Sequence, residues 1–134
     1  MAEPSRPTFR KAERLCSKKR IDGLFAGGRS MSAFPVRAVF ALQEEGTAPV
    51  EVLVSVSKRH FKHAVDRNRL KRLIREAYRL NKQLLLDNIG DVHLTVAFIW
   101  MSDEMADFGI VEAKVRNLLQ RIREDINPVR NTEA

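Results

Sequence analysis

The chain has 134 residues, which fits one compact domain, and 44% of them are hydrophobic, enough to form a single core. Its 24 basic and 17 acidic side chains give a formal net charge of +7, which indicates a polyanionic partner such as nucleic acid, an anionic membrane surface or an acidic protein. The absence of a long apolar run argues against a signal peptide and a membrane-spanning helix, and the single cysteine, Cys16, excludes an intrachain disulfide, so we expect a cytoplasmic protein.

The N-terminal part of the sequence predicts a short unstructured segment followed by a helix. Residues 1–8 contain two prolines and are expected to lack fixed structure. A basic helix is predicted over residues 10–26. Gly27 and Gly28 are expected to end it, because glycine readily takes the left-handed conformation found after helices.

Two strands are predicted next. Residues 33–42 are rich in β-branched and aromatic side chains, and residues 50–56 alternate between valine and other residue types, as half-buried strands do. The segment 44–47 between them has the composition of a turn. We therefore expect the two strands to pair as a hairpin.

The second half of the sequence predicts a helix, a strand and a final helix. Residues 66–87 give the strongest helical pattern, and residues 92–100 are almost continuously apolar, as in a central strand. Residues 107–126 have apolar side chains at helical spacing. Pro128 is expected to end this last helix and to leave a flexible tail over residues 127–134.

The predicted order of elements, α-β-β-α-β-α, belongs to the α+β class. We expect a sandwich in which the helices pack on one side of a small mixed sheet. A single domain is expected to span residues 9–126.

The charges are segregated along the chain. Residues 58–82 contain ten basic and two acidic side chains, a net charge of +8, and residues 1–30 carry a net charge of +5. The remaining residues therefore carry −6. A protein that needed charge only for solubility would mix the two signs.

The helix predicted over residues 66–87 separates apolar from basic side chains. With about 100° per residue, one face carries the apolar residues Leu70, Leu73, Ile74, Ala77, Leu84 and Leu85. The opposite face, bordered by Arg67 and Arg69, carries Asn68, Lys71, Arg72, Arg75, Arg79 and Lys82. Asp66 is the expected N-cap.

The basic face is poorly explained as an ordinary solvated surface. Like charges four residues apart destabilise a helix by about 0.2–0.5 kcal/mol per pair, and Arg75 has such neighbours in Lys71 and Arg79. Arginine predominates, and its guanidinium group binds phosphate in a bidentate manner and stacks on bases. The face also lacks the bulky apolar border of a membrane-bound helix. We therefore predict a helix that binds nucleic acid.

A longer motif surrounds this helix. It consists of Ser55-Val56-Ser57-Lys58-Arg59 and then, over residues 64–79, Ala-Val-Asp-Arg-Asn-Arg-Leu-Lys-Arg-Leu-Ile-Arg-Glu-Ala-Tyr-Arg. This stretch closely resembles the signature of the bacterial ribonuclease P protein subunit, whose hallmark is an Arg-Asn-Arg motif followed by Lys-Arg and Arg-Glu. The resemblance extends more weakly over residues 9–126.

The resemblance implies a protein that joins the ribonuclease P RNA and assists the endonucleolytic removal of the 5′ leader from precursor tRNA. It also implies that the RNA carries out the hydrolysis, with Mg2+ ions held mainly by that RNA. The fold of the family has a left-handed β-α-β crossover, whereas the general rule gives a right-handed one.

The resemblance and the basic face together assign residues to two RNA-contacting regions. The expected contact with the catalytic RNA is formed by Lys58, Arg59, Arg67, Asn68, Arg69, Lys71, Arg72, Arg75 and Arg79. A cleft between the first helix and the sheet is expected to receive the leader and to be lined by Ile21, Phe25, Phe40 and Ser55. Val39 is the alternative to Phe40 if the strand aligns differently.

No active site of the protein itself is visible in the sequence. The histidines lack cysteine partners at zinc-binding spacing, and His60 and His63 are expected to meet phosphate. The acids that follow the third strand are better explained by a loop and a helix start than by a cation site: Asp103, Glu104 and Asp107. We predict neither a catalytic residue nor a metal ligand.

Two other classes of function stay open from the sequence. One is a ribosomal or general structural RNA-binding protein of similar topology, and the other is a helix-based DNA-binding protein. The expected partners are ribonuclease P RNA and precursor tRNA, and neither DNA nor a membrane.

Overall fold

A computed structural model describes residues 13–15, 18–43, 49–87 and 93–132, with side chains described as far as residue 126. Within these ranges the order of elements is α1 (Lys18–Gly27), β1 (Arg29–Ala33), β2 (Val36–Gln43), β3 (Val50–Val56), α2 (Ala64–Asn81), α3 (Gln83–Leu86), β4 (His93–Trp100) and α4 (Phe108–Thr132). The α+β class is confirmed. The N-terminal segment 1–8, the turn predicted at residues 44–47 and Cys16 lie outside the described residues.

The strands form one mixed sheet in the order β1-β2-β4-β3. β4 is antiparallel to β2 and parallel to β3, and it is central, as its apolar sequence predicts. Leu94, Val96, Ala97 and Phe98 are all 0% exposed. Since β3 and β4 are parallel neighbours, α2 and α3 form the crossover that connects them.

The predicted hairpin between residues 33–42 and 50–56 is wrong, because β4 lies between β2 and β3. The hairpin instead joins β2 to β1, with a turn at Phe34–Pro35, whose peptide bond is cis. β1 was missed because its sequence, Arg-Ser-Met-Ser-Ala, is mostly polar. The apolar sequence of β4 indicates a central strand, but it does not reveal which two strands are its neighbours.

Helices cover both faces of the sheet, so the prediction that they pack on one side is wrong. α2 and α4 cover the main core, which includes Phe40, Val54, Leu70, Phe98 and Leu118. On the other face, Leu24 of α1 packs with Val39 and Ala97 in a smaller cluster. β2 and β4 have buried apolar side chains on both faces, and helices on a single face would leave apolar surface in water.

The first helix begins later than predicted. Arg14 forms a parallel bridge with Val52, and the Leu15 amide donates to the Val52 carbonyl oxygen at 2.9 Å. This segment therefore lies beside β3 and is not helical. An edge strand has backbone groups without partners in the sheet, and the segment satisfies some of them.

α1 ends at the predicted glycines, but not through a left-handed residue, since neither Gly27 nor Gly28 has such a φ. The Gly28 amide donates to the Leu24 carbonyl oxygen at 2.7 Å. A Cβ atom at Gly28 would lie 2.5 Å from that oxygen and 3.0 Å from the carbonyl oxygen of Phe40. Glycine is required here because the end of α1 approaches the backbone of β2 closely.

The basic helix begins at Ala64, with His63 as N-cap, so Asp66 lies in the first turn and is not the cap. The apolar face is confirmed, since Leu70, Ile74 and Ala77 are 0% exposed. The continuous helix predicted as far as residue 87 is instead divided into α2 and α3 at Lys82.

The last helix, α4, continues through Pro128 to Thr132. The predicted end at Pro128 is therefore wrong. A proline removes one backbone donor from a helix and strains it, but these costs do not by themselves terminate it.

Candidate nucleic-acid interface

Arginine side chains surround a shallow groove beside α2. The groove has a volume of about 640 Å³ and is lined by Arg14, Arg69, Arg72, Leu73, Arg75, Glu76 and Arg79. Five guanidinium groups against one carboxylate give it a strongly positive potential, which attracts phosphate groups. The fold therefore brings together four of the predicted RNA-binding residues of α2 and adds Arg14 from the N-terminal segment.

The charged groups of the groove perturb one another. Arg79 Nε donates to Glu76 Oε1 at 2.9 Å, and this hydrogen bonding lowers the pKa of the Glu76 carboxyl. Burial lowers the pKa of Arg75, and the charge of Arg14 lowers it further. The charged form of Arg75 is thus disfavoured, chiefly by burial, and a bound anion would stabilise that charged form.

Arg67 has a different role in the structure from the arginines of the groove. Its Nη1 donates to the carbonyl oxygens of Phe61 and Lys62, at 2.9 and 3.0 Å. These bonds hold the connector between β3 and α2 against the first turns of α2. The same connector carries Lys58 and Arg59, so Arg67 fixes the backbone that presents them.

The other predicted RNA-contacting residues lie outside the groove. Lys58 and Arg59 are exposed in the connector, Asn68 is exposed on α2, and Lys71 is half-buried. Lys82, which the helical wheel placed on the basic face, is buried instead at the junction of α2 and α3, where its ammonium group pairs with the Glu13 carboxylate.

The face of the sheet covered by α1 is the predicted leader-binding cleft. Ile21 packs on this face, Ser55 lies there in register with Ile99, and Phe25 is 47% exposed. Phe40 does not line the cleft: it belongs to the main core on the opposite face, 3% exposed. Side chains alternate along a strand, so the neighbouring Val39 takes the position that was assigned to Phe40.

A buried ion pair ties α1 to the sheet and was not predicted. Arg20 Nη1 lies 2.6 Å from Glu51 Oε1, and Glu51 is 2% exposed. The carboxylate lies on the α1 side of β3. One sequence feature could have revealed it, since a single acid within a valine-rich strand needs a cationic partner if its face is covered.

The remaining candidate residues form ordinary surface contacts. The Nδ1 atom of the His60 ring lies 2.5 Å from Asp103 Oδ1, which joins the connector to the loop after β4. Within the described ranges, no group of three or more His, Cys, Asp or Glu residues could hold a metal ion. None of the helices in those ranges is long and apolar enough to cross a membrane.

The family model for ribonuclease P matches residues 9–123. The chain belongs to the ribonuclease P protein family. A ribonuclease P protein component from Porphyromonas gingivalis is 43% identical over 127 residues, which cover 91% of this chain and 93% of that protein. The corresponding component from Chlorobium phaeobacteroides is 33% identical over 130 residues, with 87% and 88% covered. The function of this family is the 5′ processing of tRNA together with an RNA subunit.

Solved structures of ribonuclease P proteins share the fold. The protein from Thermotoga maritima aligns with a TM-score of 0.65 at 26% identity, covering 81% of this chain and 96% of that one. The protein from Staphylococcus aureus aligns with a TM-score of 0.67 at 19% identity, covering 84% and 96%. At 19% identity, the similarity to the Staphylococcus aureus protein shows a shared fold only.

Proposed function

We propose that this protein docks onto the catalytic RNA of ribonuclease P through the arginine groove of α2 and thereby assists removal of the 5′ leader from precursor tRNA. The groove is the observation that supports this proposal, because five guanidinium groups that line one groove are suited to a phosphate backbone. Membership of the ribonuclease P family disfavours a ribosomal or DNA-binding role.

In this proposal the RNA carries out the hydrolysis, and the protein has no catalytic residue. The Mg2+ ions of the reaction are assigned mainly to the RNA. The basic surface reduces repulsion between RNA phosphates. Lower repulsion allows the RNA to fold closely and to fill its metal sites at a lower magnesium concentration.

The α1 face of the sheet is the proposed site for the leader. Ile21 of α1 and Val39 of β2 belong to the small apolar cluster on this face, and Ser55 of β3 lies on the same face in register with Ile99. Phe25 of α1 is 47% exposed. An exposed aromatic ring can stack on an unpaired base, an interaction that tolerates any leader sequence. The proposed partners are ribonuclease P RNA and precursor tRNA. The proposed location is the cytoplasm.

Reconstitution tests the proposal. The purified protein is added to a ribonuclease P RNA transcript and a precursor tRNA, at a magnesium concentration at which the RNA alone cleaves slowly. We expect faster cleavage and a product with a 5′-phosphate, and no cleavage by protein without RNA. An unchanged rate, or cleavage by the protein alone, would refute the proposal.

A further inference from the structure

The N-terminal segment is anchored to the edge of the sheet at β3. The Leu15 amide donates to the Val52 carbonyl oxygen at 2.9 Å, and the Leu15 side chain is 3% exposed in the cluster under α1. Arg14, one residue before it, is exposed. Backbone pairing and one buried side chain thus hold Arg14 at a defined position along β3.

A second anchor lies on the other side of Arg14. Glu13 Oε2 lies 2.7 Å from Lys82 Nζ, and the two side chains are only 14% and 11% exposed. The ion pair joins the segment to the junction between α2 and α3. A largely buried charge pair requires both partners, since the loss of one leaves the other desolvated.

The two anchors direct Arg14 into the groove of α2. Arg14 lines this groove with Arg69, Arg72, Arg75 and Arg79. The charge of Arg14 contributes to the lowered pKa of Arg75, so the two guanidinium groups repel each other. The pairing of Leu15 with Val52 and the Glu13–Lys82 ion pair therefore hold a fifth arginine close to the four arginines of α2.

We propose that Arg14 is a further phosphate-binding residue for the catalytic RNA, and that the Glu13–Lys82 ion pair is the device that positions it. The inference rests on the proposed function. It extends the RNA interface beyond the Arg-Asn-Arg helix to a segment about 50 residues earlier in the chain. It also gives Lys82 a positioning role in place of direct contact.

The contribution of Arg14 is tested by the salt dependence of binding to a ribonuclease P RNA transcript. For Arg14→Ala we expect roughly tenfold weaker binding and a log–log salt slope that is smaller by about 0.7–0.9, the value for one phosphate contact. The matched control is Arg29→Ala, which removes an exposed arginine at β1, the opposite edge of the sheet. Affinity and slope of Arg14→Ala equal to those of the control would overturn the proposal.

The positioning role and simple electrostatics predict opposite effects of a Glu13 substitution on RNA affinity. Glu13→Gln removes a negative charge, and nonspecific attraction to a polyanion would then increase. We expect weaker binding instead, by up to the roughly tenfold factor of Arg14→Ala, and no further loss when Glu13→Gln is combined with Arg14→Ala. Tighter binding by Glu13→Gln, or independent effects of the two substitutions, would overturn the positioning role.

Exchanging the charges of Glu13 and Lys82 distinguishes a variant that fails to fold from one in which Arg14 is only displaced. The double variant Glu13→Lys, Lys82→Glu keeps the net charge and restores an ion pair, so it should recover the affinity that Glu13→Gln loses. Thermal unfolding of each variant is measured in parallel. A folded exchange variant that binds as weakly as Glu13→Gln would contradict the role of the pair.

Failure of this inference is distinguishable from failure of the proposed function. If the wild-type protein accelerates cleavage and Arg14→Ala does so at the same concentrations, Arg14 is not a contact but the function stands. If the wild-type protein neither binds the transcript nor accelerates cleavage, the proposed function itself fails.

Discussion

Individual arginines on one basic helix have different tasks. Arg69 is exposed and lines the groove, whereas Arg67 donates two hydrogen bonds to the carbonyl oxygens of the connector. The Arg-Asn-Arg motif therefore combines an arginine available to phosphate with one that supports the backbone. Charge alone does not distinguish the two residues.

This difference predicts unequal effects of substitution. Arg67→Ala should lower the melting temperature, since each lost hydrogen bond contributes about 0.5–1.5 kcal/mol, and should also weaken RNA binding. Arg69→Ala should weaken RNA binding and reduce its salt slope without lowering the melting temperature. Thermal unfolding and salt titration of both variants provide the measurement. Equal melting temperatures for the two variants would contradict the supporting role of Arg67.

Glu76 moderates the groove through its bonds to Arg79. We expect Glu76→Gln to bind RNA more tightly, because it removes the one carboxylate of the groove and releases a guanidinium group. The substitution provides a contrast with Glu13→Gln, which should weaken binding. Titration of both variants with the same transcript makes the comparison, and weaker binding by Glu76→Gln would contradict this assignment.

The Glu76–Arg79 interaction also has a predicted pH dependence. The pKa of Glu76 is lowered in the folded protein by the hydrogen bonding of Arg79, so its contribution to stability is present above the unfolded-state pKa and is lost as pH falls through the folded-state value. The stability difference between wild type and Glu76→Gln should therefore shrink in acid. Urea unfolding at several pH values measures it, and a difference that grows as pH falls would be inconsistent with this account.

At the scale of elements, the amphipathic pattern of α2 is the most informative part of the sequence. Ile74 is 0% exposed in the core beneath the basic face, whereas Leu80 of the same helix is 43% exposed. We expect Ile74→Ala to reduce the free energy of unfolding by about 2–5 kcal/mol. Leu80→Ala is the control and should change it by less than about 0.5 kcal/mol. Similar losses for both variants, measured by urea unfolding, would contradict the assigned faces.

The junction of α1 and β1 depends on one glycine. Gly28→Ala should destabilise the fold by about 1–3 kcal/mol, because the added Cβ would clash with the carbonyl oxygen of Leu24. Gly27→Ala meets nothing within 4 Å and should be tolerated. Thermal unfolding of the two variants tests this difference. Equal tolerance would show that α1 can end without the close approach to β2.

The spacing of apolar residues predicted the elements in which that spacing is regular. It missed the features that such spacing does not mark. The faces of α2 follow from a repeat within one helix, so the core residues and the arginine face were found. The choice between Phe40 and Val39 depends on the phase of a strand whose two faces are both apolar, and alternation could not decide it. β1 is mostly polar, so no apolar alternation marks it. The segment around Arg14 pairs with β3, which is distant in the sequence, and no local pattern contains that contact.

At the scale of the whole molecule, the fold collects charges that are separated in the sequence. The two basic regions, residues 1–30 and 58–82, both contribute to the groove, through Arg14 and through α2. α1, on the opposite face of the sheet, bounds the proposed leader site. The two proposed RNA-binding regions thus lie on different sides of one small sheet.

The central claim is that the arginine groove of α2 docks the protein onto the catalytic RNA. Its most direct test compares the double variant Arg69→Ala, Arg72→Ala with a control of equal charge loss, Arg29→Ala, Arg116→Ala, whose residues lie outside the groove. The measured quantity is the protein concentration that gives half-maximal cleavage of precursor tRNA at low magnesium. We expect the groove variant to need roughly 100-fold more protein, and the control to behave as wild type. Equal requirements for the two folded variants would contradict the claim.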